Sequence, residues 1–212
     1  MTLSVARFNL QLHRMGQDML WARAYRCPCL DPDSGAARAG CPVCAARGVL
    51  WGPGVGSRAG LAGMKAQRAW ASYGESVSGD VVVSVPSDTP LYAAGENDRI
   101  LFTDSSRSFD IVLTRGDVGE RIQQPVIAFD RCFWLTNDGA SIVEGSLPVR
   151  APDGTVSFPG TPAPALGQQY TVSGRCTPEY FLFKDMALDR AHYGGLALPR
   201  RLVLRLMDLF IR

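Results

Sequence analysis

The chain has 212 residues, of which 46% are hydrophobic and 20% are charged, a composition typical of a folded globular protein. No apolar run approaches the length that a membrane-spanning helix needs, so we expect no membrane partner. Residues 1–76 hold nine basic and four acidic side chains, residues 77–183 hold seven and thirteen, and residues 184–212 hold six and three. Two weakly basic ends flanking an acidic middle suit head-to-tail contact between copies, or a mild attraction to phosphate, although chance also produces such clusters.

The N-terminal stretch, residues 4–24, has the spacing of apolar side chains that is typical of an amphipathic helix. Apolar residues recur at three- and four-residue steps, at Val5, Phe8, Leu12, Met15 and Met19. Ser4 can cap the start of this helix. The apolar stripe is narrow, so we expect the helix to pack against a single partner surface.

Four of the six cysteines follow within eighteen residues, as the pairs Cys27-Pro-Cys29 and Cys41-Pro-Val-Cys44. Each pair is short enough for both sulfurs to point at one centre. The eleven residues between the pairs are rich in turn-forming types, so this loop can fold back and close a four-thiolate cage. The spacing predicts a metal site with Cys27, Cys29, Cys41 and Cys44 as ligands.

Three interpretations of these thiols compete. Structural Zn²⁺ is favoured by the four-thiolate spacing, an iron–sulfur cluster uses the same ligands, and disulfides or unligated thiols are the plainest alternative. Residues 1–12 lack the pattern of a secretory signal, because polar residues interrupt any apolar run there. We therefore expect a reducing compartment, which favours metal over disulfides.

The segment that follows is rich in glycine. Residues 48–63 hold six glycines, and the spacing of these glycines does not match the patterns of phosphate-binding loops. We predict a flexible connector over residues 52–64, which would divide the chain into an N-terminal module of residues 1–51 and a main domain of residues 65–212.

The main domain has the sequence pattern of many short strands separated by turns. The predicted strands are residues 81–85, 99–102, 110–114, 125–129, 132–135, 141–143, 147–149, 155–158, 169–172 and 179–183. Such a series predicts a mainly β protein, with a β-barrel or sandwich body. Residues 200–212 fit either a helix or a strand, and we favour a strand that ends at Leu206 and pairs with residues 179–183.

The signatures of catalysis are missing. There are only two histidines, His13 and His192, and no recognised hydrolase, protease or kinase motif, so we predict that the chain is not an enzyme. Three acidic residues, Asp98, Asp104 and Asp110, can in principle form a carboxylate cluster, but aspartates beside turns usually cap them. The remaining cysteines, Cys132 and Cys176, are expected to be buried thiols.

The order of these features resembles a family of structural proteins of tailed bacteriophages, of the head-to-tail connector or neck type. The matching features are the N-terminal helix, the cysteine block from Cys27 to Trp51, and a β domain that contains Gly95-Glu-Asn-Asp98-Arg-Ile100 and ends in residues 198–205. The resemblance implies a virion protein, assembled in the bacterial host cytoplasm, that forms a homo-oligomeric ring built on a β-barrel. It further implies contact with the portal or adaptor and with tail proteins, the passage of genomic DNA without sequence specificity, and four cysteine ligands at positions 27, 29, 41 and 44.

Two other classes of protein stay open. A zinc-ribbon nucleic-acid-binding protein would explain the thiols and the basic N-terminal third, although no aromatic–basic surface for nucleic acid is evident. A tail-tip or baseplate structural protein with an iron–sulfur cluster would explain the thiols and the β-rich remainder.

Overall fold

A computed structural model of the chain describes residues 4–44, 46–136, 138–186 and 192–209. The chain divides into two compact units, unit 1 (Met1–Asp104 and Glu179–Arg212) and unit 2 (Ser105–Pro178). In chain order, the first elements are α1 Val5–Met15, β1 Gln17–Ala22, β2 Ala24–Arg26, β3 Val49–Trp51, β4 Val55–Leu61, α2 Met64–Ser72, β5 Val81–Val85 and β6 Arg99–Phe102. They are followed by β7 Arg107–Thr114, β8 Val126–Leu135, β9 Ile142–Glu144, β10 Val149–Arg150, β11 Val156–Ser157, β12 Gln169–Cys176, β13 Glu179–Asp185, β14 His192–Tyr193, β15 Leu196–Ala197 and β16 Arg200–Leu206.

Six strands of unit 1 close into an antiparallel barrel in the order β1, β4, β5, β16, β13, β6, and β6 pairs with β1 again. The interior is filled by twelve buried side chains, Met19, Trp21, Ala59, Val83, Val85, Leu91, Ala94, Ile100, Phe102, Leu182, Leu202 and Leu204. Neither α-helix in the described part of the chain is long and apolar enough to cross a membrane. The prediction of a mainly β protein with a barrel body and an N-terminal helix is confirmed.

The apolar run of β5 is explained by burial on both faces. Val83 and Val85 point into the barrel, and Val82 contributes to a second cluster on the outside, which α2 covers with Ala66 and Trp70. A strand covered on both sides needs apolar residues at successive positions, unlike a strand with one solvent face. Helix α2 differs from the sequence prediction, which places a domain of β-strands from residue 65 onward.

The N-terminal helix is shorter than predicted, since α1 ends at Met15 and the helix proposed for residues 17–24 is instead β1 and the start of β2. Gly16 marks the change, with an extended backbone at φ −76° and ψ 164°. A Cβ atom on Gly16 would lie 2.4 Å from the carbonyl oxygen of Leu12 and 2.8 Å from that of Ala59. Met19, which we assigned to the apolar stripe of the helix, lies in the barrel core.

The segment predicted as a flexible connector, residues 52–64, instead contains barrel strand β4. This strand pairs with β1 along five residues and with β5 at its far end. Its glycines allow close approach, because a Cβ on Gly60 would lie 2.8 Å from Cδ2 of Leu12 in α1. The proposed division at residues 52–64 therefore differs from the structure, in which residues 1–104 and 179–212 form one unit.

Unit 2 is an antiparallel sheet in the order β7, β12, β8, β9, with a separate two-stranded sheet of β10 and β11. Its core consists of Leu113, Ile122, Cys132, Trp134, Val156, Tyr170 and Val172. The two strands predicted over residues 125–129 and 132–135 are one strand, β8, whose pairing with β12 is interrupted by two irregularities. Extra residues at such points shift the alternation of side chains, so the sequence pattern of β8 appears broken.

The last strand, β16, pairs with both β13 and β5. The prediction of a strand ending at Leu206 and pairing with residues 179–183 is confirmed. The end of the ambiguous stretch, residues 210–212, lies outside the described residues.

Candidate metal centre

The four-cysteine loop is the tip of a long hairpin whose base belongs to the barrel. Strands β1 and β4 pair in the barrel wall, and β2 and β3 continue the hairpin beyond it. The backbone N–H of Gly52 donates to the carbonyl of Arg23 over 2.9 Å, and that of Cys27 donates to Gly48 over 2.8 Å. The loop is therefore joined to the barrel by paired strands on both sides.

The structure brings the four predicted ligands together, with all four Sγ atoms within 4.8 Å of one another. Sγ of Cys27 lies 4.0 Å from Sγ of Cys41, and Sγ of Cys29 lies 3.5 Å from Sγ of Cys44. A disulfide would need about 2.05 Å, and all four thiols are free. In a tetrahedron with metal–sulfur bonds of about 2.3 Å the sulfurs are about 3.8 Å apart, between the two measured separations. Four thiols so arranged can hold a metal ion.

Local backbone hydrogen bonds fix each cysteine pair. After the first pair, the N–H of Leu30 donates to the carbonyl of Cys27 over 3.1 Å. After the second pair, the N–H of Arg47 donates to the carbonyl of Cys44 over 3.0 Å, and the N–H of Gly48 points at Sγ of Cys44 over 3.4 Å. Gly48 has a φ of 72°, a conformation that suits glycine. Both halves of the site thus form tight turns around their sulfurs.

The loop between the pairs is ordered by its own turn chemistry. Asp31 Oδ1 accepts from the N–H of Ser34 over 2.7 Å and from its hydroxyl over 2.8 Å. A β-bridge joins Leu30 to Ala37, which returns the chain toward the second cysteine pair. The turn-forming residues between the two cysteine pairs, from which we predict a folded-back loop, therefore fold the loop back as expected.

The environment of the thiols separates their acidities. Cys27, Cys41 and Cys44 are buried, and Cys29 is half-buried. The backbone N–H groups of Cys44 and Val43 lower the pKa of Cys41 to about 6. A backbone N–H of Arg38 also favours the thiolate of Cys29, but desolvation and the three neighbouring thiols outweigh it and raise the pKa of Cys29 to about 12. A metal ion bound at this site would favour the thiolate form of its cysteine ligands, because its positive charge offsets the repulsion between neighbouring sulfurs.

Hydrogen bonds from two tryptophans attach the base of the hairpin to the loop before β6. The carboxylate of Asp98 accepts hydrogen bonds from Nε1 of Trp21 over 2.7 Å, from the N–H of Ala24 over 2.7 Å and from the N–H of Gly95 over 2.8 Å. Nε1 of Trp51 donates to the carbonyl of Asn97 over 3.0 Å. Sequence reasoning did not assign these supporting roles, and the available signal was the turn-forming run of residues 94–98.

The other residues considered as candidates have structural surroundings. Asp104 accepts from the N–H of Asp18 over 2.9 Å, and Asp110 is exposed on β7. His13 lies 2.9 Å from Asp88, and His192 is exposed on β14. Cys132 and Cys176 are buried in unit 2, which confirms the prediction for them. Within the described ranges, the four cysteines are the only group of three or more His, Cys, Asp or Glu side chains arranged to hold a metal ion.

Comparison with known proteins adds no relative: no family model matches the chain, and no curated protein matches it.

Proposed function

We propose that this chain is a structural protein of a tailed bacteriophage that forms a ring in the neck, as a head-to-tail connector or stopper, and joins the portal to the tail. In this proposal the four cysteines hold one Zn²⁺, and the metal-bound loop is a docking element for a neighbouring protein of the virion. The protein is a scaffold and has no catalytic role.

The observation that carries the proposal is the placement of four converging thiols at the tip of a barrel hairpin. Residues 27–44 and 46–48, the described part of the loop beyond β2 and β3, contribute no side chain to the barrel interior. Their buried side chains form a separate cluster made of Cys27, Cys41 and Cys44. In this proposal a bound metal makes the loop rigid, and a rigid loop that adds nothing to the barrel core is explained best by a binding role. The order of helix, cysteine block and β domain, which resembles that of phage neck proteins, supports a location in the neck.

The choice of Zn²⁺ over an iron–sulfur cluster rests on the size of the site. A cluster distributes its cysteine ligands around two or more iron atoms, whereas a single ion brings all of its ligands around one centre. Four sulfurs within 4.8 Å of one another suit a single ion. Elemental analysis together with the visible absorption spectrum separates the two, because a zinc site is colourless.

The position in the particle tests the function. Purified particles carrying an epitope on this protein are labelled with gold-conjugated antibody and imaged by electron microscopy. We expect the label at the junction of head and tail. Host cells infected with a phage that lacks a functional gene for this protein should accumulate separate heads and tails. Label at the tail tip, with complete head–tail joining in the absence of the protein, would instead support the baseplate alternative.

A second candidate function, binding of nucleic acid by a zinc ribbon, is favoured by one observation on the hairpin. Arg23, Arg26 and Arg38 are exposed around the cysteine loop, and none of them forms an ion pair with another described residue. Tyr25 is exposed between two of them. Exposed arginines beside an aromatic ring can contact phosphates and bases.

Titration with duplex and single-stranded DNA at several salt concentrations separates this candidate from the scaffold. A nucleic-acid reader should bind with an affinity that falls steeply with salt, and Arg23→Ser with Arg26→Ser should reduce the slope. A ring component that only surrounds DNA should bind weakly, and those substitutions should leave particle assembly unchanged.

A further inference from the structure

The most exposed large apolar side chains of the described residues occur in two places. Val118 and Leu166 are 94% and 83% exposed in unit 2, and Met15 and Met64 are 76% and 71% exposed in unit 1. Apolar side chains that lie together at the surface mark candidate interaction sites, whereas isolated ones are common. The two places differ in shape and in charge.

In unit 1 the exposed Met15 borders a groove of about 430 Å³ between the two helices. Phe8, Leu12 and Met15 of α1 form one wall, and Leu61 of β4 contributes to the floor. Lys65 of α2 and Arg201 of β16 line the same groove, which contains no acidic side chain. Both cations are exposed, and neither forms an ion pair with another described residue. The groove therefore offers an apolar surface with uncompensated positive charge.

In unit 2 the exposed side chains sit on adjacent loops that we name the knob, residues 116–119 together with Leu166. The N–H of Gly167 donates to the carbonyl of Arg115 over 2.8 Å, so the two loops lie side by side. The carboxylate of Asp117 is exposed within the knob. The two cations that flank the knob face other carboxylates: Arg115 is paired with the half-buried Glu120 over 3.1 Å, and Arg121 interacts electrostatically with Asp153. The knob is therefore apolar with a net negative charge.

We propose that the groove of one copy of this chain receives the knob of a second copy. Val118 and Leu166 would lie against the wall formed by Phe8, Leu12 and Met15, where the flexible thioether of Met15 adapts to a partner's shape. Asp117 would lie near Lys65 and Arg201. Since the groove and the knob are different surfaces of the chain, each copy keeps one of them free after pairing. Such a heterologous contact propagates from copy to copy and closes into a ring where the rotation allows.

This inference deepens the proposed function, because it names the contact on which a neck ring would rest. The contact itself is a property of the purified protein and can be measured without a phage. Two variants of the full chain break one surface each: Met15→Ser with Lys65→Glu alters the groove, and Val118→Asp with Leu166→Asp alters the knob. The matched control, Arg175→Glu with Leu196→Asp, makes equivalent changes at exposed positions of β12 and of β15.

Sedimentation velocity over a range of concentrations provides the measurement. We expect wild type and control to sediment faster as concentration rises, and each double variant to remain monomeric at concentrations at least tenfold higher. A mixture of the two variants should give a one-to-one dimer and nothing larger, because one variant retains the knob and the other the groove. That rescue also shows that both variants are folded.

A wild-type protein that stays monomeric, a variant that assembles like wild type, or a mixture that remains monomeric while wild type assembles would overturn the inference. The neck function is judged separately by the position of the gold label. If the label lies away from the neck while the variant mixture still forms dimers, the contact stands and the proposed function fails. If the label lies at the neck while the variants assemble normally, the function stands and this contact fails.

Discussion

The buried carboxylate of Asp98 accepts a hydrogen bond from Nε1 of Trp21 over 2.7 Å. This contact joins the loop before β6 to β1, the barrel strand that leads into the hairpin with the four cysteines at its tip. The same carboxylate accepts from the backbone N–H groups of Ala24 and Gly95. Three donors thus share one acceptor that is almost fully buried. Donors left without a partner in such a place cost free energy, because water cannot replace the lost acceptor.

Substitution of Asp98 by Ala should therefore destabilise unit 1 strongly. We expect the free energy of unfolding to fall by about 3–5 kcal/mol, from the loss of a charged acceptor and the exposure of several donors to an apolar interior. Urea denaturation followed by tryptophan fluorescence provides the measurement. The control is Asp33→Ala in the cysteine loop, where the side chain is exposed and the change should stay within about 0.5 kcal/mol. Equal effects of the two substitutions would contradict this role for Asp98.

A second buried carboxylate, Asp80, predicts a dependence of stability on pH. It accepts from Nε and Nη2 of Arg205 over 2.9 Å each and from Nε1 of Trp70 over 3.0 Å. Burial alone would raise the pKa of Asp80, but the hydrogen bonds and the charge of Arg205 outweigh it and hold this pKa below its usual value. A carboxyl with a lowered folded-state pKa stabilises the fold above its unfolded pKa of about 4 and loses that effect as the pH falls through the folded value.

Substitution of Asp80 by Asn should thus cost about 3 kcal/mol at pH 7, because Arg205 is left without its partner in a largely buried site. The difference between wild type and variant should narrow as the pH falls below about 4, because the carboxyl then binds a proton in the unfolded wild type while the folded one stays ionised down to its lower pKa. Urea denaturation at a series of pH values gives both quantities. A difference that stays constant into acid would show that ionisation of Asp80 does not contribute.

Glycines in β4 and before β1 show why the sequence predicted some elements and not others. The strands of residues 81–85, 99–102 and 200–206 were found because their side chains alone have strand preferences. The glycine-rich run 52–64 was misassigned because the need for glycine at Gly60 comes from Leu12, which is distant in sequence. Similarly, Met19 fits a helical stripe and a barrel core equally well, and only the close approach at Gly16 decides between them.

The convergence of the four cysteines was predictable to a greater extent than the fold around them. Cys27, Cys29, Cys41 and Cys44 were identified from spacing alone, because their convergence depends on short local turns. The attachment of the loop to a barrel hairpin was not predictable, since it depends on pairing between β1 and β4 across more than thirty residues. A short turn depends on residues that are adjacent in sequence, whereas the pairing of two strands depends on the whole fold.

The close approach at Gly16 predicts a large effect from a single methyl group. An added Cβ would lie well inside contact distance of two backbone carbonyl oxygens, which cannot move aside as a side chain can. Gly16→Ala should lower the free energy of unfolding by about 2–3 kcal/mol through this overpacking. Gly56→Ala is the matched control, because an added Cβ there meets no atom within 4 Å and should be neutral or slightly stabilising. Thermal unfolding of the two variants in parallel checks the difference.

Removal of one metal ligand tests the assignment of the cysteines. The purified wild-type protein should contain about one equivalent of Zn²⁺, and Cys44→Ser should lose it, because three thiolates hold the ion far less well than four. Cys132→Ala, which alters a buried thiol in unit 2, should keep the full metal content. Elemental analysis of the three proteins, purified without chelator, gives the result. Retention of metal in Cys44→Ser, or its absence from wild type, would contradict a four-thiolate zinc site.

Removal of residues 1–51 would not isolate the cysteine module, because β1 would be lost and the barrel opened. A narrower deletion is available at the hairpin tip. The N–H of Cys27 donates to the carbonyl of Gly48 over 2.8 Å, so these two positions can flank a new turn. We therefore replace residues 28–47 with Asn-Gly, which favours a two-residue hairpin turn, and change Cys27 to Thr.

This shortened hairpin should separate the role of the loop from that of the barrel. The barrel strands and their core are untouched, so the free energy of unfolding should change by less than about 1 kcal/mol, while bound metal is lost entirely. In a phage that depends on this protein, the variant should fail to join heads to tails, because the docking element is missing. Urea denaturation, elemental analysis and electron microscopy of the lysate measure the three outcomes. Complete particles formed with a stable, metal-free variant would show that the cysteine loop has no part in assembly.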